Sequence, residues 1–147
     1  LAVDSGAQFL TVDKQNQLWV ISNKGNEAVI TQVSSDESTN VYRFNKSIQR
    51  ISLGVNKDTL WLLTGNDVHF IDLTNTGSKF KMNLAFTVNQ SQNSYALGVH
   101  PQTGDFYIGD ARDYVSAGKV YIYNSEFKLT KTIETGVIPT NFVFVGF

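Results

Sequence analysis

The residues best equipped for chemistry lie in two short stretches, Asp110-Ala111-Arg112-Asp113-Tyr114 and Ile138-Pro139-Thr140-Asn141. Arg112 carries a planar fork of donors suited to a carboxylate, phosphate or amide oxygen, and Tyr114 a flat amphipathic ring. Asp110 and Asp113 are acceptors, Thr140 and Asn141 are short polar groups, and Asn23, Asn66, Gln49 and Asn93 add adaptable hydrogen bonds. Such a set suits the recognition of a small molecule more than bond breaking. A competing reading makes the first stretch a self-contained clasp, with Arg112 paired to Asp110 or Asp113 and Tyr114 packed on the sheet.

Other chemistry is thinly supplied. Cysteine is absent, which excludes disulfides, thiolate zinc sites and cysteine nucleophiles. The two histidines, His69 within a strand pattern and His100 beside Pro101 in a turn, supply neither a triad nor a zinc-ligand spacing and read as structural. Asp13, Asp72, Asp110 and Asp113 lack the alternating D-x-D-x-D-G pattern of a calcium loop and read as turn-forming carboxylates. Neither Gly-rich phosphate motif occurs. The expectation is therefore no catalytic residue, no metal and no cofactor. A net charge of −1, with Lys and Arg scattered, gives no footprint for nucleic acid or an anionic membrane. No apolar run approaches the roughly 20 residues that span a bilayer.

The elements that must position these residues repeat. Leu10-Thr11-Val12, Leu53-Gly54-Val55 and Leu97-Gly98-Val99 stand 43 and 44 residues apart, and Val143-Phe144-Val145 follows 46 further on. That period fits the four-stranded blade of a β-propeller. Each copy reads as four short strands rich in β-branched and aromatic residues, separated by breaks such as NKGNE, TGND, HPQTG and NSEFK. Asn, Asp and Gly in those breaks accept the left-handed backbone that hairpins need. The fold class is all-β: blades over about 7–45, 48–87 and 94–135, with the inner strand of a further blade over 141–147, and helix nearly absent. In the second blade the fourth strand is expected near Lys79 to Phe86. Trp19, Trp61 and Tyr107 recur in the second strand and are expected to fill the wedges between blades. Gly54 and Gly98 are expected to let inner strands approach around an axis.

Three blades and one strand leave unpaired edges, so the chain reads as the C-terminal part of a larger, seven-bladed propeller, or as one that self-associates. With strands lettered A to D from the axis outward, the B–C and D–A loops share one face. That face collects SNKGNE, TGND, DARDYVSA, NKSIQ, TVNQSQNS and TGVIPTN, and it is where a ligand site is expected.

Residues 110–144, DARDYVSAGKVYIYNSEFKLTKTIETGVIPTNFVF, follow the pattern D-x-x-x-Y-V-x-x-G-x-V-Y-x-Y, a short turn, K-x-x-x-x-x-x-T-G-x-I-P and an aromatic strand. This stretch resembles the C-terminal signature of YncE-like β-propeller proteins of the Bacteroidetes cell surface. The earlier copies match only as generic blades. Thr140-Asn141 stands where the family pattern has a small residue plus His. The resemblance implies a seven-bladed, non-catalytic surface lipoprotein of the outer membrane, held there by a lipid anchor upstream of this sequence. It further implies capture of cobalamin or a related compound beside a TonB-dependent transporter, and the resulting expectation is a propeller that either binds a small-molecule ligand, such as a corrinoid or glycan, or serves as a scaffold for a neighbouring envelope protein. Two other classes compete. A metal-dependent lactonase propeller needs several carboxylate and Asn ligands converging on the axis, of which Asp110 and Asn141 are the only candidates. A protein-interaction propeller of the WD type needs signatures that are missing.

Overall fold

A computed structural model of the chain describes residues 5–146, which form three four-stranded antiparallel sheets. The first contains β1 (Ala7–Val12), β2 (Leu18–Lys24), β3 (Glu27–Val33) and β4 (Thr39–Phe44). The second contains β5 (Arg50–Leu53), β6 (Thr59–Thr64), β7 (Asp67–Asp72) and β8 (Asn83–Thr87), and the third β9 (Ser94–Val99), β10 (Phe106–Asp110), β11 (Lys119–Tyr123) and β12 (Leu129–Glu134). Strands pair in chain order throughout, so every sheet is a meander, and β5 lies beside both β1 and β9. These are consecutive propeller blades.

Alternation along each strand sends one set of side chains to each neighbouring blade. Trp19, Ile21 and Ile30 of the first blade meet Leu60, Leu62 and Ile71 of the second in one core. Leu63 and Val68 from the second blade's other face meet Phe106, Ile108 and Tyr123 of the third in another. The recurrent aromatic of the second strand always points to the following unit. Trp19 stacks on Phe80 at 5.3 Å, Trp61 meets Phe106 edge-on at 4.7 Å, and Tyr107 faces Phe142 and Phe144 at 5.8 and 5.1 Å. Trp19 is fully buried, whereas Trp61 and Tyr107 are half-buried. Trp19 is also anchored by its indole N–H, which donates to Asp13 at 2.9 Å while the same carboxylate caps the turn N–H groups of Gln15 and Gln17.

Three expectations need correction. The fourth strand of the second blade starts at Asn83, not near Lys79, because a 3-10 turn over Gly77–Lys79 precedes it. Gly77 takes φ +56°, and the turn drops Phe80 into the core against Trp19 and Tyr42. Residues 141–146 form no strand, and Phe147 lies outside the described residues. The segment keeps a two-residue alternation, with Phe142 and Phe144 turned to Tyr107 while Val143 and Val145 are exposed, but it meets the third blade through side chains and has no hydrogen-bonded ladder. Gly98 does permit a close approach, since a Cβ there would stand 3.0 Å from that of Phe142. Gly54 instead makes room within its own blade, where a Cβ would stand 3.1 Å from the Trp61 indole nitrogen.

Candidate functional site

The rim formed by the B–C turns and D–A connections is stitched together by amides and a carboxylate. Asn23 donates to the Ile48 carbonyl at 2.7 Å and accepts the Ile48 N–H at 2.9 Å, which fixes the start of the second blade. Asn66 does the same for the third, donating to the Ser91 carbonyl at 2.8 Å and accepting the Ser94 N–H at 2.9 Å. Both residues, expected as adaptable ligand donors, thus spend their amides on holding one blade to the next. Free amide groups would have been legible from composition, but this reciprocal bonding depends on loops about 25 residues away.

Asp110 performs a third clamp. Its carboxylate is buried and accepts the N–H groups of Gln92, Asn93 and Arg112 at 3.1, 2.9 and 2.8 Å. Burial pushes its pKa up, but the backbone donors, led by Asn93 and Arg112, outweigh it and hold the group below the usual carboxylate value. Asn93 donates to the Arg112 carbonyl. Asp113 caps the next turn, accepting Val115 N–H, Ser116 N–H and the Ser116 hydroxyl, and the Ser116 backbone leads in pulling its pKa down to about 2. The competing reading of an arginine clasp is not what holds this loop. Arg112 takes φ +50° and sends its guanidinium to the Ala117 carbonyl at 3.3 Å, because both carboxylates are already engaged by backbone N–H groups. The loop lies against the Pro139 turn. A Cβ on Gly118 would stand 2.7 Å from Pro139 Cδ and 2.8 Å from the Asp110 carbonyl oxygen, so the two stretches separated in sequence do meet.

Two adjoining open clefts lie on this face, beside a third of about 320 Å³ lined by Asn26, Asn45, Lys46, Ser47, Thr64 and Gly65. The larger, of about 600 Å³, is lined by Gln8, Asn23, Gln49, Arg50, Tyr95 and Tyr114 among others. The second, of about 410 Å³, is lined by Ile51, Leu97, Thr140 and Asn141, and shares Phe9 and Arg50 with the first. The structure therefore brings together Asn23, Gln49 and Tyr114, with Thr140 and Asn141 next door. Asp110, Arg112, Asp113, Asn66 and Asn93 line neither cleft.

Sequence reasoning missed Arg50 and Tyr95. Arg50 stands 4.7 Å over the Tyr95 ring and donates to the Gln49 carbonyl at 2.6 Å, and Tyr95 meets Tyr114 edge-on at 5.9 Å. Arg50 opens β5 and Tyr95 is the second residue of β9, and the arrangement follows from neighbouring blades placing these strand starts side by side. The signal available was their shared position just after a D–A connection. Tyr114 reaches the cleft from the DARDYVSA loop because φ +65° turns the chain there, and the side chain stays about half exposed.

His69 and His100 are both engaged in the fold. His69 is buried between Thr64 Oγ1 at 3.1 Å and Lys46 Nζ at 3.2 Å, and His100 Nδ1 accepts the N–H groups of Gln102 and Thr103. Among the described residues no cluster of three or more His, Cys, Asp or Glu is placed to hold a metal ion. A smaller recess of about 190 Å³ lies on the opposite rim between Trp61, Phe106 and Phe127.

No family model matches the chain, and no curated protein matches it in sequence. Solved structures do match in fold. A quinonprotein alcohol dehydrogenase-like protein from Bacteroides thetaiotaomicron is 14% identical with a TM-score of 0.69, over 86% of this chain and 33% of that one. A luciferin-regenerating enzyme is 10% identical with a TM-score of 0.66, over 94% and 49%. A catalytically inactive virginiamycin B lyase from Staphylococcus aureus, solved with quinupristin, is 14% identical with a TM-score of 0.62, over 95% and 43%. The chain thus spans half or less of the length of each, and the likeness is one of propeller-like fold.

Proposed function

We propose that the protein is a non-catalytic ligand-binding propeller of a bacterial cell surface, and that it captures a small molecule or glycan for a neighbouring envelope protein. The observation that carries the binding reading is the pair of clefts joined by Arg50 on the face where the inter-blade connections converge. Binding clefts combine apolar or aromatic walls with a few fixed polar groups, and here Phe9, Tyr95 and Tyr114 alternate with Gln49, Arg50 and Asn141. The clamps through Asn23 and Asn66 hold the blade starts that carry those groups, which favours a pre-organised site. One feature supports binding without turnover. Neither lining includes an Asp, Glu, His or Cys among the described residues, so the usual general acids, bases and thiol nucleophiles are not supplied. The placement on an envelope rests on the YncE-like pattern over residues 110–144.

Calorimetric titration of the folded chain against a panel of oligosaccharides and a corrinoid tests this reading. Tyr114→Ala with Gln49→Ala should weaken whichever probe binds by about tenfold or more. Substitution of Lys57, Gln102 and Ser125, exposed on the opposite rim, should leave affinity unchanged. Equal loss from both sets would move the site off this face.

A further inference from the structure

We propose that the larger cleft selects a carboxylated sugar of the uronate type, with Arg50 reading the carboxylate and Tyr114 and Tyr95 reading the ring. This rests on the cleft being the binding site and goes on to name its ligand class. Arg50 is the only charged side chain in the lining of either cleft among the described residues, and no carboxylate lies within ion-pair distance of it. Its single protein acceptor is the Gln49 carbonyl, so most of its five donors are free for a ligand. A guanidinium left unpaired beside open space has a planar fork matched to a carboxylate. Stacking on Tyr95 at 4.7 Å holds the fork in place, so that less side-chain freedom is lost on binding.

The ring-reading half is equally specific. Tyr114 stands perpendicular to Tyr95 with centroids 5.9 Å apart, which forms an aromatic corner. An aromatic face left open at this corner is electron-rich and accepts the polarised C–H face of a pyranose, while the phenol hydroxyls remain available to sugar hydroxyls. The Gln49 side chain is exposed and has no hydrogen bond within the described residues, and it adds an amide for the same purpose. A purely apolar ligand would leave these donors unpaired, and a cationic one would meet Arg50. Among the described residues no acidic side chain lines either cleft, which leaves Arg50 to set the local charge.

The test is calorimetry with three probes of matched ring and length: an oligogalacturonate, its methyl ester, and a neutral galacto-oligosaccharide. The acid should bind at least about tenfold more tightly than the ester or the neutral sugar, because a charge-assisted hydrogen bond is lost from each of the latter. Arg50→Gln should weaken the acid much more than the ester, so that the two bind alike, and Arg50→Lys should restore only part of the difference. Tyr114→Ala should weaken all three. If acid and ester bind alike and Arg50→Gln changes neither, the ligand class is overturned while the cleft stands. If the folded protein binds none of the three, the uronate assignment is likewise overturned, and the corrinoid titration then decides the cleft separately.

Discussion

At the scale of single residues, polar groups at loop ends are used mainly to join blades. Asn66→Ala leaves the Ser94 N–H and the Ser91 carbonyl without their partner, and should cost about 1–3 kcal/mol in urea unfolding, with Asn23→Ala similar at the preceding junction. His69 gives a pH dependence of defined sign. Burial first, then the Lys46 charge, holds its pKa below 6.5, so the unfolded chain takes up the proton before the folded one does. The stability this neutral imidazole contributes is complete above pH 6.5 and is lost as pH falls toward the depressed folded value. Thermal unfolding followed from pH 8 to 5 should show that fall, and His69→Gln should flatten it; a stability that rises on acidification through this window would contradict the assignment. Residue types were legible in the sequence, as with Asp13 and Asp113 at turns. Their partners were not, because whether an Asn faces a ligand or a neighbouring backbone depends on loops folded against it from the next blade.

At the scale of elements, the aromatic that opens toward the next blade is the recurring device. Trp19→Ala empties a fully buried site between the first two blades and should cost about 3–5 kcal/mol, whereas Trp61→Ala should cost less because that ring is only half-buried. Gly98→Val tests the seating of the last segment. Its Cβ would collide with the Cβ of Phe142, so the variant should lose contact between residues 142–144 and Tyr107, read as lost NMR cross-peaks between those rings, while Phe142→Gly in the same chain should relieve the collision. The order of strands within each four-stranded sheet was readable because turn-forming residues punctuate an alternating pattern at a nearly constant spacing. The 3-10 turn over Gly77–Lys79 was not, since KFKMNLAF alternates well enough to pass for one long strand. Nor could alternation alone tell that residues 141–146 have strand-like packing without a ladder.

At the scale of the whole molecule, three blades bury two interfaces and leave the apolar side of the last segment uncovered. Val143 and Val145 are 79% and 84% exposed, and β4, β8 and β12 are outer edges, so the isolated chain should associate with rising concentration in sedimentation experiments. Val143→Lys with Val145→Lys should suppress that association, and an unchanged dependence would assign it to another surface. The convergence of B–C and D–A loops on one rim was legible from strand order alone, but the particular groups that face the cleft were not: Arg50 and Tyr95 act there because adjacent inner strands begin side by side. The most direct test of the rim as the binding face is amide-resolved NMR during titration with oligogalacturonate. Binding at the clefts predicts saturable shifts at Gln49, Arg50, Tyr95, Tyr114 and Asn141, with Val55, Gly104, Ser125 and Phe127 on the opposite rim unmoved; shifts confined to those opposite-rim amides would contradict it.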